Sequence, residues 1–172
     1  MSNKVFVGII TLLIVGFVGF LAFGNKQPDK PRLGVDQADE GRQHVAPGQK
    51  QTYKAKIPTS GPHANPAPWG VSEQELPDES VIHNMEHGGV IISYRPDLDP
   101  ATVEKLKSLF AKPYAVSSFM PNKAIVMPRA NQQKLIVLAS WNRILEIDSF
   151  SQQTLIDYYL GNVSKSPEPA AS

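Results

Sequence analysis

An uncharged apolar run near the amino terminus constrains this chain most, because it separates one membrane-length segment from a polar remainder. Residues 5–23 contain neither a charged residue nor a proline. A helix rises about 1.5 Å per residue, so the run would be roughly 28 Å long, close to the hydrocarbon thickness of a bilayer. The run therefore predicts a single transmembrane helix that anchors the chain to a membrane.

A cleaved signal peptide is the alternative interpretation of this run. The apolar region of a signal peptide is usually about 7–15 residues long and precedes a cleavage site made of small residues. This run is longer, and Ala22-Phe23-Gly24 is the only weak candidate for such a site. We therefore favour a retained anchor.

Local charge does not fix the orientation of the anchor, because Lys4 precedes the run while Lys26, Lys30 and Arg32 follow it. A very short tail followed by a long soluble domain is nevertheless typical of a signal-anchor. We expect a single-pass protein of the cell membrane whose soluble domain faces outside the cytoplasm.

Composition divides the rest of the chain. Proline, glycine and charged residues dominate the stretch after the anchor, and the chain ends in a polar segment with Pro167 and Pro169. We predict five segments: a short tail (residues 1–4), an anchor (5–23), a flexible tether (24–40), a soluble domain (41–163) and a disordered tail (164–172). A domain of roughly 120 residues can bury one modest core.

Hydrophobic periodicity within the domain predicts both strands and helices. Asp99-Pro100 begins one helix, with aspartate as the N-cap and proline in the first turn, and Ser151 caps another. The predicted strands are residues 51–57, 90–94, 124–127, 135–141 and 143–147. We predict an α+β domain with a mostly antiparallel sheet and two helices.

Composition also excludes several classes of function. The chain has no cysteine, which excludes disulfides, thiolate metal sites and cysteine nucleophiles. Its net charge is +1 with the two signs interspersed, so nucleic acid is not expected as a partner. No phosphate-binding glycine loop is present, and we predict no organic cofactor. The sequence identifies no protein partner.

The chain has four histidines, all in one segment, and imidazole is the commonest metal ligand in proteins. On a strand, His83, Met85 and His87 would share a face and form a set suited to copper. On a helix, His83, Glu86 and His87 would share a face and form a set suited to zinc. Helix-start residues before this motif and Gly88 after it favour the helix.

Two other interpretations of the histidines remain open. They could be structural, with each ring tying the backbone of an irregular loop to the sheet, in an envelope interaction or scaffold domain. Alternatively, the H-x-x-E-H pattern of residues 83–87 could belong to a metal-dependent hydrolase in which Glu86 is the general base. The sequence favours a binding domain over an enzyme.

The chain resembles an uncharacterised, mostly bacterial family, domain of unknown function 3105, whose members often follow one membrane anchor. The likeness rests on Ser-Gly-Pro-His at residues 60–63, His-Asn-Met-Glu-His-Gly at residues 83–88 and the apolar strand behind them, and it extends over about residues 41–160. It implies that one set of residues acts together: His44, His63, His83, Glu86 and His87. Leucine is common in the family where this chain has Met85, which argues against a thioether ligand. From motif and resemblance together we expect a transition-metal site, for zinc or copper.

Overall fold

The computed structural model describes residues 31–111, 119 and 122–170, together with Leu13. The chain divides into two units, residues 1–31 and 32–172. The predicted anchor falls in the first unit and, apart from Leu13, lies outside the described residues. Within the described part, none of the helices has the length and hydropathy needed to cross a membrane.

The second unit is built on one six-stranded mixed sheet. Its strands are β1 (Val35–Asp36), β2 (Gly70–Val71), β3 (Val90–Tyr94), β4 (Ala124–Pro128), β5 (Ile136–Ser140) and β6 (Arg143–Ile147). They lie side by side in the order β1-β6-β5-β3-β4-β2. The pairs β1·β6, β6·β5 and β5·β3 are antiparallel, while β3·β4 and β4·β2 are parallel. The prediction of an α+β domain with a mostly antiparallel sheet is confirmed.

Three helices are described, whereas the sequence predicted two: α1 (Asp78–Glu86), α2 (Pro100–Phe110) and α3 (Gln152–Asn162). The predicted caps are confirmed, since Asp99 accepts a hydrogen bond from the amide of Thr102, and Ser151 accepts one from the amide of Thr154. Helix α1 is the third, and it includes the short helical stretch that the sequence favoured before Gly88. Its first turn carries two acidic residues, which favour a helix N-terminus, but its short length and polar composition give it only a weak signal of its own.

The helices cover both faces of the sheet, because neighbouring residues of a strand point to opposite sides. Ile92 of β3 belongs to a buried cluster with Leu106 of α2 and Leu155 of α3. The adjacent Ile91 belongs to a second cluster with Ile82 of α1. Helix α1 therefore packs on the face opposite to α2 and α3, and its carboxyl end leads directly into β3.

The strand predicted for residues 51–57 is wrong, since this stretch forms no regular structure. Side chains, rather than a neighbouring strand, satisfy its backbone. Glu79 accepts from the amide of Gln51, and Glu40 accepts from the amides of Lys54 and Ala55. In this stretch the weak alternation of apolar residues belongs to a loop whose backbone is held by carboxylate side chains.

The beginning of the second unit lies against the end of its last helix. The guanidinium of Arg32 donates to Oδ1 of Asn162 at 3.0 and 2.7 Å, and Asn162 is only 1% exposed. Arg143 of β6 donates to the carbonyl oxygens of Arg32 and Gly34 and pairs with Asp36. Strand β1 lies within the stretch that the sequence assigned to the tether, and these contacts hold it against β6.

Candidate metal centre

The end of α1 carries the His-Asn-Met-Glu-His motif. His83 and Glu86 lie in the last turn, and the amide of His87 donates to the carbonyl of His83 at 3.1 Å. Gly88 then adopts φ +86°, a conformation that residues with a Cβ rarely adopt. The predicted short helical stretch before Gly88 is confirmed, so His83, Met85 and His87 do not share the face of a strand. Met85 is 1% exposed and packs in the core instead.

The proline-rich loop, residues 57–70, is bound to α1 through two residues of this motif. Nδ1 of His83 lies 2.5 Å from the carbonyl oxygen of Ala64. The Asn84 amide group makes a pair of hydrogen bonds with Ala67, accepting from its N–H at 2.9 Å and donating to its carbonyl at 3.0 Å. The Ser-Gly-Pro-His motif at residues 60–63 lies on this loop, so these contacts hold it beside the His-Asn-Met-Glu-His motif of α1.

His63 lies on this loop and is fully buried. Its Nδ1 is 2.9 Å from the carbonyl oxygen of Gly61, and its Nε2 is 3.0 Å from Oε2 of Glu86. A carbonyl oxygen only accepts, so Nδ1 carries a proton and Nε2 is the atom directed at the carboxylate. Gly61 makes this turn with φ +128°, and a Cβ there would lie 2.9 Å from the ring of Tyr53.

His44 reaches the same place through a backbone bridge. The amide of Val45 donates to the carbonyl of His63 at 2.8 Å, and the amide of His63 donates to the carbonyl of Gln43 at 2.9 Å. This parallel pairing sets the imidazoles of His44 and His63 side by side, with ring centroids 4.5 Å apart. The His44 side chain is 59% exposed, and its Nε2 is 3.8 Å from Oε2 of Glu86.

His44, His63 and His83 form a triangle of imidazoles. The centroid of the His83 ring lies 5.1 Å from each of the other two, and one ring nitrogen from each residue lies within 4.8 Å of the others. Zinc binds imidazole nitrogen at about 2.0–2.1 Å, which in a tetrahedral site separates two nitrogens by roughly 3.3 Å. The upper limit of 4.8 Å exceeds this spacing by about 1.5 Å, so the rings would have to draw together to hold one ion, and the exposed His44 is the one with most room to move.

The Nδ1 contacts of the two buried rings suit metal binding. Histidine ligands usually donate their second ring N–H to a backbone carbonyl or a carboxylate, which fixes the tautomer and orients the ring. In His63 and His83 the carbonyls of Gly61 and Ala64 fill this role, so Nε2 is the ring nitrogen left for an ion; in His63 that nitrogen now lies 3.0 Å from Oε2 of Glu86. Burial, and then the neighbouring histidines, lower the pKa of His83. A lowered pKa keeps the ring neutral and able to bind a cation.

A second group of possible ligands lies beside the first and contains Glu86. Ligand atoms of Glu86, His87 and Glu168 also lie within 4.8 Å of one another, with Nε2 of His87 3.9 Å from Oε2 of Glu168. Glu168 belongs to the segment predicted to be a disordered tail. Here the amide of Ser164 donates to the carbonyl of Gly88, and the amide of Glu168 donates to the carbonyl of Glu86.

The structure thus brings together all five residues that the sequence proposed as ligands, in two adjoining groups. Sequence reasoning missed Glu168, because a glutamate among small polar residues and prolines carries no local pattern. Gly88 was the only available signal: a Cβ at this position would lie 2.7 Å from the Cα of Ser164, so the glycine admits the tail.

Searches of curated proteins and of solved structures gave no match for this chain. A family model described as Protein of unknown function (DUF3105) matches residues 44–172, well over half of the 172 residues, and begins at the first histidine of the cluster. The resemblance carried by the two histidine motifs is thereby confirmed: the chain belongs to the DUF3105 family of proteins of unknown function.

Proposed function

We propose that this domain binds a transition-metal ion through the imidazoles of His44, His63 and His83, with Glu86 beside them. One observation carries the proposal. Ring nitrogens of the three residues converge within 4.8 Å, while Nδ1 of the two buried rings faces a backbone carbonyl. Because a carbonyl occupies Nδ1 of these two rings, Nε2 is the nitrogen through which each would bind the ion.

The ligand chemistry favours zinc. Imidazole and carboxylate ligands suit Zn²⁺, and they also bind Cu²⁺. A Cu⁺ site would call for thioether or thiolate ligands. The chain has no cysteine, and Met85, the methionine within the motif, is buried among the apolar side chains of α1 and the sheet.

The place of action in this proposal follows from the apolar run at residues 5–23. A single anchor would hold the domain at the outer face of the cell membrane, where the ion serves in metal handling or stabilises the fold. An ion that binds only the folded state stabilises it by about 2.7 kcal/mol when its free concentration is 100 times the Kd.

The test uses the full-length chain, purified in detergent without a polyhistidine tag. Its metal content is measured by elemental mass spectrometry as isolated and after reloading with Zn²⁺ and with Cu²⁺. We expect bound metal that is lost in His63→Ala, together with a melting temperature that falls on chelation. Gln43→Ala, next to His44 in the chain and exposed, is the matched control. If the unaltered chain binds neither ion after reloading, the proposal is wrong.

A structural role for the histidines is the second candidate, and the same hydrogen bonds favour it. His63 and His83 tie the proline-rich loop to its own turn and to α1, whether or not an ion is present. His44 separates the two functions because its side chain is 59% exposed. As a brace it contributes little, whereas as a ligand it is required. His44→Ala should therefore abolish metal binding under the first function and leave stability in chelator nearly unchanged under either.

A further inference from the structure

We propose that the cluster holds two metal ions, with the carboxylate of Glu86 bridging them. The first ion is bound by His44, His63 and His83, and the second by His87 and Glu168. This inference rests on the proposed function and adds a second site, a shared ligand and a role for the carboxyl-terminal segment.

Glu86 belongs to the second group and also lies against the first. Its Oε2 lies 3.0 Å from Nε2 of His63 and 3.8 Å from Nε2 of His44, on the side of the first group. Its carboxylate is also within 4.8 Å of the ligand atoms of His87 and Glu168, on the side of the second. A carboxylate has two oxygens, each with its own lone pairs, so it can serve one cation on each side.

Helix geometry sets the distance between the two sites. His83 and His87 are four residues apart and therefore neighbours on one face, and their ring centroids are 4.5 Å apart. One ring belongs to each site. Two ions held by such neighbouring rings, one on each side of one carboxylate, would lie close together, as in two-metal centres, where the ions are about 3.5–4 Å apart.

Burial explains why a bridging position suits Glu86. The residue is 1% exposed, and an ionised carboxylate removed from water is strongly unfavourable unless cations or hydrogen-bond donors compensate it. Two cations would compensate it more fully than His63 alone. The second site has an additional carboxylate and a single imidazole, so it suits a harder divalent ion than the first site does.

Backbone contacts place Glu168 independently of its side chain. The amide of Glu168 donates to the carbonyl of Glu86 at 3.1 Å. On either side of it, the amide of Ser164 donates to the carbonyl of Gly88, and Nζ of Lys123 donates to the carbonyls of both His87 and Pro169. The segment therefore crosses the end of α1 in a fixed register, with its glutamate beside His87.

The experiment counts ions and detects their proximity in the full-length chain. Chelator-treated protein is titrated with Zn²⁺ by calorimetry, and the bound metal is counted after gel filtration. We expect two Zn²⁺ per chain, and one in Glu168→Gln. His87→Ala is a second variant of the same site, and the exposed Glu146→Gln is the matched control, expected to keep two ions. Circular dichroism checks that each variant is folded.

Cobalt substitution then tests the bridge. Two Co²⁺ ions that share a carboxylate are magnetically coupled, so the electron paramagnetic resonance signal of the fully loaded protein should be weaker than twice that of the singly loaded protein. Glu168→Gln, with one ion, should show the uncoupled signal.

The outcomes separate this inference from the function on which it rests. One Zn²⁺ per chain, unchanged by Glu168→Gln, would overturn the second site and leave the first intact. Two ions in both proteins would refute the assigned ligands, and two ions without coupling would refute the bridge. No bound ion at all would overturn both proposals.

Discussion

Asn84 is the residue through which α1 holds the proline-rich loop, and its replacement gives the sharpest test of how the site is organised. We predict that Asn84→Ala weakens both the fold and the metal site. The alanine removes the acceptor of the Ala67 N–H at 2.9 Å and the donor to the Ala67 carbonyl at 3.0 Å. The loop that carries His63 would then lose one of its links to the helix that carries His83 and Glu86.

The size of the effect follows from the geometry. Each of the two hydrogen bonds contributes a net ~0.5–1.5 kcal/mol, so their loss should lower the free energy of unfolding by about 1–3 kcal/mol. Asn84 is 1% exposed, which leaves little room for water to replace the lost partners. Asn84→Asp should cost at least as much, because it keeps the acceptor but turns a carboxylate oxygen towards the carbonyl of Ala67.

The assay is urea unfolding in the presence of a chelator, followed by tryptophan fluorescence. Chelation separates the stability of the loop from that of the bound ion. A Zn²⁺ titration of each folded variant then reports the effect on the site, where we expect weaker binding with the same number of ions. The exposed Asn131→Ala is the control. A change below about 0.5 kcal/mol in Asn84→Ala would refute the view that this residue fastens the loop.

Three further predictions concern other parts of the domain. Gly88→Ala forces φ +86° on a residue whose Cβ would lie 2.7 Å from the Cα of Ser164. Urea unfolding should show that the free energy of unfolding falls by more than about 1 kcal/mol. The number of bound metal ions should fall to one. Met85→Leu should cost less than about 1.5 kcal/mol and Met85→Ala about 2–5 kcal/mol, with metal content unchanged in both, because Met85 packs in the core. Burial raises the pKa of Tyr158 from 10.0 to about 12, so the folded state favours the protonated phenol. This contribution to stability is complete below pH 10 and is lost as the pH rises towards 12. Over that interval the free energy of unfolding of Tyr158→Phe should fall less steeply with pH than that of the unaltered protein, by up to about 1.4 kcal/mol per pH unit.

Local signals were sufficient for the elements that carry their own start and stop residues. Asp99-Pro100 and Ser151 mark the beginnings of α2 and α3, and dense β-branched runs mark β3 and β5. These elements are predictable because caps act within one turn, and buried strands exclude polar residues along their length.

Local sequence signals could not predict the pairings between distant segments. Strands β1 and β2 are two residues long, and each exists only because a neighbouring strand offers its edge. For residues 51–57 the alternation was present but misleading, because Glu40 and Glu79 supply the acceptors that a neighbouring strand would otherwise provide.

The candidate site shows the same division. His83, Glu86 and His87 could be grouped from helical spacing alone. His44 and His63 converge through a single backbone bridge that has no sequence pattern, and the family resemblance rather than periodicity linked them to the helix. Glu168 depends on the course of the whole carboxyl-terminal segment, which no short-range rule anticipates.

The contact between Arg32 and Asn162 has a consequence for rearranging the chain. Because the first residues of the unit lie against the end of its last helix, a linker about as long as residues 163–172 could lead back from the end of the unit to Arg32. A circular permutant opened at the exposed turn near Asn131 would then keep every strand pairing of the sheet. Such a permutant would release the domain from whatever precedes it while leaving the histidine cluster inside one continuous stretch of chain.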